Sequence, residues 1–158
     1  MRPVEDRSTL ADFATVWCRA FRIPQWIAPI ALPSIPPDDP EHKAQNRAFV
    51  GYADGKPVAC STVTVTERVA GIANVGTLPS ARGRGYGAAL TGRAIDAGRE
   101  LGADVAYLAA SDMGLPLYAR MGFRRVSEYH YWQIPVGFFA SIRALRAARR
   151  LARASAPG

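Results

Sequence analysis

One stretch, residues 75–90, limits what this chain can fold into more than any other: it reads VGTLPSARGRGYGAAL. Its three alternate glycines, Gly83, Gly85 and Gly87, separate an apolar segment from a helix-forming one. We therefore predict the end of a strand, a tight turn and the start of a helix. A turn without Cβ atoms lets a ligand approach the backbone closely. The first turn of a helix offers unpaired N–H groups and a positive dipole end, which suit a phosphate.

Two arginines inside the turn strengthen the prediction of a phosphorylated ligand, because the guanidinium groups of Arg82 and Arg84 can bind phosphate oxygens. The segment lacks the Gly-Lys-Ser/Thr ending of a nucleotide-binding P-loop, which excludes that class. Residues 83–88 do match the relaxed dinucleotide fingerprint, with Asp112 downstream for a ribose contact. That fingerprint normally opens a domain, whereas this one follows a predicted antiparallel hairpin. Dinucleotide binding by an oxidoreductase remains an alternative.

Two motifs together resemble the GNAT superfamily of acyl-CoA-dependent N-acetyltransferases. Arg82-x-x-Gly85-x-Gly87 resembles the pyrophosphate loop of that superfamily, and residues 75–79 resemble its splayed strand. Residues 111–123, SDMGLPLYARMGF, resemble its second signature, a helix that carries a tyrosine and ends in Gly-Phe. Two motifs in the right order and at the right separation are much more specific than either one alone.

The resemblance implies that acetyl-CoA binds between the strand ending at Thr77 and the strand at residues 105–110. The pantetheine would pair with the backbone of residues 75–77, and the pyrophosphate would lie on the N–H groups of residues 83–88. Ser111 stands where many members of the superfamily have Asn. The residues expected to bind the cofactor are Val75, Gly76, Thr77, Arg82, Gly83, Arg84, Gly85, Tyr86, Gly87, Ala88, Ser111 and Tyr118.

Acyl transfer to an amine needs an acid for the departing thiolate and a route for the proton of the ammonium, whose pKa is about 10. By resemblance, Tyr118 is the acid. Members of the superfamily often place a Glu on the strand before the phosphate loop, but residues 69–74 contain no carboxylate. Glu67, at the preceding turn, and Asn74, through a bound water, are the remaining candidates for the base.

Periodicity and turn signals predict the order of the elements. The first part should contain a strand at 2–4, a helix to Ala20 capped by Ser8 or Thr9, a proline-dense loop at 24–40 and a helix from Pro40 to about Arg47 capped by Asp39. A hairpin of 48–52 and 58–66 and a strand at 69–77 should follow, and then a helix at 85–101 and a strand at 105–110. The last elements should be a helix that carries Tyr118 and ends at Gly122, and two strands within 123–134. This order predicts an α/β fold, with a mixed, mostly antiparallel sheet, a splayed parallel pair in its centre and helices on both faces.

Charge divides the chain into two expected parts, a GNAT-like domain at 1–134 and a basic amphipathic helix and tail at 135–158. The net charge of the chain is +7, and the second part contains five arginines and no acidic residue. A basic helix can bind nucleic acid or a membrane, but we favour packing on its own domain or on a homodimer partner. The isolated Cys18, Cys60, His42 and His130 do not indicate a metal.

These observations predict an N-acetyltransferase that moves an acetyl group from acetyl-CoA to a primary amine, on a small molecule or a protein, by direct attack in a ternary complex. A non-catalytic acyl-CoA-binding sensor or regulatory domain is the alternative, because the strand before the loop lacks a carboxylate. In proteins of similar sequence the loop after the first helix borders the acceptor site. Trp26 in this loop is therefore either a lid on that site or a linker residue that packs on the body of the domain. Without an apolar leader or membrane-spanning run, a cytoplasmic location is expected.

Overall fold

The structure is a computed structural model that describes residues 1–32, 39–128 and 130. Its elements are β1 (Arg2–Pro3), α1 (Arg7–Phe21), a 3-10 turn (Gln25–Ile27), α2 (Ala28–Ala31), α3 (Pro40–Gln45), β2 (Asn46–Ala53), β3 (Lys56–Thr66), β4 (Val69–Thr77), a second 3-10 turn (Pro79–Ala81), α4 (Tyr86–Glu100), β5 (Val105–Leu108) and α5 (Leu115–Arg120). The five strands form one sheet in the order β1-β2-β3-β4-β5. All neighbours are antiparallel except β4 and β5, which are parallel. The predicted mixed, mostly antiparallel sheet is confirmed, and β5 is its outer strand within the described residues.

Helices cover both faces of the sheet, as predicted, because successive side chains of a strand point to opposite faces. On β2, Phe49 packs in the cluster that includes Leu90 of α4. Its neighbour Val50 packs in the other cluster, with Phe13 of α1 and Cys60. These four apolar side chains and the Cys60 thiol are almost completely buried. Two layers of core therefore fix the sheet between α1 and α4.

Helix α1 begins earlier than predicted, because Asp6 rather than Ser8 or Thr9 is its N-cap. Asp6 Oδ1 accepts the backbone N–H of Thr9 at 2.7 Å, and Thr9 Oγ1 accepts the backbone N–H of Asp6 at 3.2 Å. This reciprocal pair is a capping box, which satisfies two N–H groups at once. The predicted cap of α3 is confirmed, since Asp39 Oδ1 accepts the N–H of Glu41 at 3.0 Å.

Both hairpin turns of the sheet use two consecutive residues with positive φ. Asp54 and Gly55 have φ values of 48° and 74° between β2 and β3, and Glu67 and Arg68 have values of 47° and 67° between β3 and β4. Two positive φ angles are the mark of a type I′ turn, whose twist matches that of the flanking strands. The predicted turn at Asp54-Gly55 is confirmed, and β4 has the predicted bounds.

The chain divides into two compact units, Met1–Arg124 and Arg125–Gly158. In the second unit, Arg125 forms an ion pair with Glu128. Residues 123–128 form no strand, so the two predicted strands are wrong for that part of 123–134. The predicted boundary at residue 134 and the basic helix at 135–158 lie outside the described residues. Among the helices that the structure describes, none is both long and apolar enough to cross a membrane.

Candidate active site

The whole of β5 pairs with only the first part of β4. Val69–Ile72 pairs with Val105–Leu108, whereas β4 continues to Thr77 without a strand partner on that side within the described residues. The paired end is reinforced by Arg68, whose guanidinium donates to both carboxylate oxygens of Asp104 at 2.6 and 2.7 Å. The pair is thus closed at one end and open at the other, as the resemblance predicted. An edge without a strand partner can pair with an incoming extended chain, and here Ala73 is exposed, Asn74, Val75 and Thr77 are half-buried and Gly76 is buried.

A bulge in β4 explains the separation. Thr62 of β3 pairs with Ala73 and Cys60 pairs with Gly76, so the two residues between them on β4, Asn74 and Val75, face a single residue of β3. Asn74 has a φ of 54°, in the left-handed region. A bulge bends the strand that carries it and increases its local twist. Asparagine is one of the few side chains that adopt this conformation readily.

The Asn74 side chain is held at both of its polar ends. Its Oδ1 accepts the indole N–H of Trp17 at 3.0 Å, and its Nδ2 donates to Thr62 Oγ1 at 3.1 Å. On the backbone of the same residue, the carbonyl oxygen accepts the S–H of Cys60 at 3.2 Å. Burial raises the pKa of the Cys60 thiol to about 12, so the thiol remains a neutral donor. Asn74 is therefore a structural junction of α1, β3 and β4.

The glycine turn joins β4 to α4 as predicted. Gly83 and Gly85 have φ values of 75° and 83°, and Gly85 is the N-cap of α4. A Cβ added at either glycine would meet no atom within 4 Å, so the space above the turn is open. Arg82 Nε donates to the Thr77 carbonyl at 3.3 Å, which fixes the guanidinium at the end of β4. Open space, free helix N–H groups and an adjacent cation suit a phosphate.

Helix α5 places Tyr118 beside the start of α4. A Cβ on Gly87 would lie 3.2 Å from Leu117 Cδ2 and 4.0 Å from Thr77 Oγ1, so the three elements meet around this glycine. The Tyr118 ring meets the Phe123 ring edge to face, with 5.9 Å between the centroids. Burial raises the pKa of the Tyr118 phenol, against a smaller lowering effect of Thr91. The phenol is therefore protonated at neutral pH, as an acid must be.

The remaining candidates differ in their positions. Ser111 follows β5 and is exposed, and its carbonyl accepts the N–H groups of Gly114 and Leu115 at 2.8 and 3.0 Å. It therefore shapes the turn into α5. Glu67 is exposed in the turn before β4, at the closed end of the parallel pair. At about 3.3 Å per residue, Glu67 lies roughly 20 Å from Asn74, so the structure does not bring these two candidates together.

A cavity of about 270 Å³ opens on the sheet face that α1 covers. Its lining residues are Trp17, Leu32, His42, Asn46, Arg47, Ala48, Thr62, Val63, Thr64 and Asn74. His42 is isolated in the sequence, and Trp17 lies in an apolar helical pattern that ordinarily indicates core, so this grouping was not predicted. The alternating threonines of β3 were its one signal, since they mark a face that is not filled by apolar side chains. Trp26, the candidate lid, is 51 % exposed in the turn after α1.

A mixed sheet whose parallel pair separates beside a glycine turn and a helix N-terminus defines an acetyltransferase fold. The chain belongs to the acetyltransferase (GNAT) family, whose model matches residues 14–123. No curated protein sequence matches the chain significantly.

Solved structures with the same fold include a GCN5-related N-acetyltransferase from Ralstonia eutropha JMP134, with 27 % identity and a TM-score of 0.59 over 84 % of this chain and 96 % of that one. An acetyltransferase from Trypanosoma brucei has 23 % identity and a TM-score of 0.64 over 84 % and 97 % of the two chains. An aminoglycoside N-acetyltransferase in complex with CoA has 14 % identity and a TM-score of 0.67 over 85 % and 93 %.

Proposed function

We propose that this chain transfers an acetyl group from acetyl-CoA to a primary amine by direct attack within a ternary complex. One observation carries the proposal: within the described residues β4 has no strand partner beside residues 73–77, and a short 3-10 turn connects this edge to the open glycine turn at the start of α4. An extended amide chain that ends in a diphosphate matches both features at once. The pantetheine and pyrophosphate of coenzyme A form such a chain.

The residues present fit this cofactor. Backbone groups of Val75–Thr77 can pair with the pantetheine amides in the manner of an added strand. The N–H groups of residues 83–88, which include Tyr86 and Ala88, can hold the pyrophosphate, with Arg82 and Arg84 neutralising its charge. Ser111, three residues after the end of β5, is proposed to border the pantetheine. A side chain at Gly83 or Gly85 would occupy the space that the phosphates need.

The chemistry requires one bond to form and one to break. The neutral amine attacks the thioester carbonyl carbon, the new C–N bond forms, and the C–S bond breaks to release the thiolate. Backbone N–H groups at the open edge of β4 can stabilise the negative charge on the carbonyl oxygen during attack. The protonated phenol of Tyr118 donates its proton to the leaving thiolate, and the proton that the nitrogen loses as it becomes an amide returns to the phenolate. Burial favours this role, because it keeps the phenol neutral until a proton is needed.

The acceptor amine is assigned to the cavity of about 270 Å³ that Asn74 and Thr62 line. Asn74 belongs both to this cavity and to the bulge where the open edge begins, so an amine here would lie next to the thioester. His42 is the lining side chain proposed to accept the proton that the ammonium must lose, since a neutral imidazole has a ring nitrogen that can accept one. It joins Glu67 and Asn74 as a candidate for this step.

A non-catalytic acyl-CoA sensor is the second candidate function. It is favoured by the engagement of both polar ends of the Asn74 side chain in hydrogen bonds to Trp17 and Thr62, and by the lack of a carboxylate on β4. The cofactor site would be unchanged in a sensor, and only turnover would be missing. A homodimer, a cytoplasmic location and a basic tail free of nucleic acid or membrane are proposed for either function.

Two measurements test the proposal. Thermal unfolding with CoA, NAD or NADP identifies the ligand, because a ligand stabilises the fold that binds it. We expect CoA alone to raise the unfolding temperature, and stabilisation by a dinucleotide instead would contradict the proposal. Thiol release from acetyl-CoA is then followed against a panel of primary amines. CoA binding without amine-dependent thiol release across the panel would favour the sensor.

A further inference from the structure

We propose that Trp17 and Thr62 clamp the side chain of Asn74, and that this clamp holds the open edge of β4 in the geometry that coenzyme A needs. Asn74 is then a positioning residue rather than a catalytic one. The inference rests on the proposed function, since it concerns the same cofactor site. This positioning role replaces the water-holding role that was predicted for Asn74 from the sequence.

The backbone of Asn74 needs support. Its φ of 54° lies far from extended strand geometry, although asparagine adopts it more readily than most residues, and it occurs two residues after β4 ceases to pair with β5. If this residue relaxed to an ordinary strand conformation, the bulge would be lost. Val75–Thr77 would then shift in register and turn its N–H and C=O groups to other directions. The open edge depends on one residue that strand geometry alone would not keep in place.

The side chain supplies that support from two layers of the fold. Trp17 reaches Asn74 Oδ1 from α1, and Thr62 accepts from Asn74 Nδ2 on β3. The Thr62 hydroxyl in turn donates to the Ala73 carbonyl at 3.1 Å, immediately before the bulge. The amide of Asn74 is thus tied to the strand on one side and to a helix on the other. Rotation of the amide would break both hydrogen bonds.

The same clamp forms one wall of the cavity assigned to the amine. Trp17, Thr62 and Asn74 all line it. Loss of the clamp would therefore displace both the open edge of β4, which is proposed to bind CoA, and this wall of the cavity that is proposed to bind the amine. A residue that only stabilised the fold would show neither effect on binding, and this difference makes the proposal testable.

The first test compares two threonines of the same strand face. Thr62→Val removes the hydroxyl of the clamp, whereas Thr64→Val removes a hydroxyl that donates to Asn46 Oδ1 instead. We expect Thr62→Val to raise the Kd for CoA about fivefold to tenfold and Thr64→Val to leave it within twofold. Urea unfolding of both variants measures any general loss of stability. Equal CoA affinity in the two variants would overturn the proposal.

The second test separates the backbone of Asn74 from its side chain. Asn74→Gly keeps access to positive φ and loses the clamp, whereas Asn74→Ala loses both. We expect CoA affinity to decrease in the order wild type, Asn74→Gly, Asn74→Ala, with kcat following the same order. The Asn74→Asp variant, which keeps an acceptor for Trp17, should fall between wild type and Asn74→Gly. Wild-type affinity in Asn74→Ala would contradict the inference.

A readout without ligand distinguishes failure of the clamp from failure of the proposed function. The indole N–H resonance of Trp17, assigned with Trp17→Phe, should move on Asn74→Gly and on Thr62→Val but stay on Thr64→Val. Amide exchange of Val75–Thr77 should accelerate in the first two variants alone. If wild type does not bind CoA, the proposed function falls while these signals still report on the clamp. An unchanged Trp17 indole resonance and unchanged amide exchange of Val75–Thr77 in Thr62→Val would overturn the proposal of the clamp.

Discussion

The ring of Tyr118 covers Gly114 so closely that a Cβ on that glycine would lie 2.8 Å from Tyr118 Cε2. Gly114 has an ordinary φ of −84°, so the backbone itself would accept a side chain. The glycine is therefore required by the neighbouring ring and not by the turn. Because Tyr118 is the proposed acid, this contact ties the position of its phenol to a residue four positions earlier.

Replacement of Gly114 by alanine should move the phenol and slow the reaction. We expect kcat of Gly114→Ala to fall about tenfold or more with little change in CoA affinity, since small displacements of a reacting group carry large penalties. Gly92→Ala in α4 is the control, because a Cβ there meets nothing within 4 Å. The control should be more stable than wild type by about 0.5–1 kcal/mol and equally active. Full activity in Gly114→Ala would show that the ring can move without consequence.

Removal of the Tyr118 hydroxyl tests the acid directly. In Tyr118→Phe we expect kcat to fall about 100-fold with CoA affinity unchanged, because the ring and its packing on Phe123 remain. The acid must be protonated, and burial raises its pKa, so the alkaline limb of the wild-type pH–rate profile should lie above the ordinary tyrosine value of about 10. A variant with wild-type turnover would exclude the phenol from the proton transfer.

The glycine turn allows a matched pair of substitutions. Gly85→Ala and Gly55→Ala place a side chain at nearly the same φ, 83° and 74°, and neither Cβ meets an atom within 4 Å. Both should destabilise the fold by about 1–2 kcal/mol for the strained backbone. Only Gly85→Ala should also raise the Kd for CoA, about tenfold. A similar affinity for CoA in the two variants would argue against a phosphate site at this turn.

His42 is tested against the second histidine of the chain. We expect His42→Gln to lower kcat/KM for the amine about tenfold while the Kd for CoA stays constant, because the imidazole lines the cavity proposed for the acceptor. His130→Gln, at an exposed residue outside the first unit, is the control and should behave as wild type. Loss of CoA affinity in His42→Gln would instead indicate a role in folding of the cavity.

The capping box of α1 predicts a pH dependence of stability. Hydrogen bonds from Thr9 lower the pKa of Asp6 below its usual value. Because the pKa is lower in the folded state, the carboxylate contributes fully to the free energy of unfolding at pH values above its unfolded pKa of about 3.9. This contribution is lost as the pH falls through the folded pKa. Asp6→Asn keeps a cap without this titration. The difference in unfolding free energy between wild type and Asp6→Asn should therefore shrink between pH 5 and about pH 3 in urea titrations.

Local patterns in the sequence were sufficient for most elements of the fold. The bounds of β4 followed from apolar periodicity between two turn signals, and the glycine turn and the α5 helix followed from their motifs. The cap of α1 was misplaced because Ser8 and Thr9 are also good caps, and only the hydrogen bonds between Asp6 and Thr9 decide among them. The strands expected after Phe123 failed in the described part, because alternation alone does not create a pairing partner.

The acceptor side of the site could not be predicted in the same way. Trp17 and Asn74 are 57 positions apart, and their contact depends on how α1 packs across the sheet. A tryptophan on the apolar stripe of a helix is ordinarily core, and nothing local to Asn74 signals a bulge. His42 joins the cavity only because α3 leads directly into β2. Motifs identify the part of the site that is proposed to bind coenzyme A, whereas the proposed acceptor side arises from tertiary contacts.

The two cysteines have a practical consequence for every assay that follows the reaction by its sulfur product. Cys18 and Cys60 are both buried, and burial raises the pKa of each thiol. Thiolates react with disulfide dyes and alkylating reagents, and neutral thiols hidden in a core do not. The folded protein should therefore contribute almost no background colour while free coenzyme is titrated. A dye signal that grows without acetyl-CoA would report unfolding, so the same reagent would also monitor the integrity of each variant.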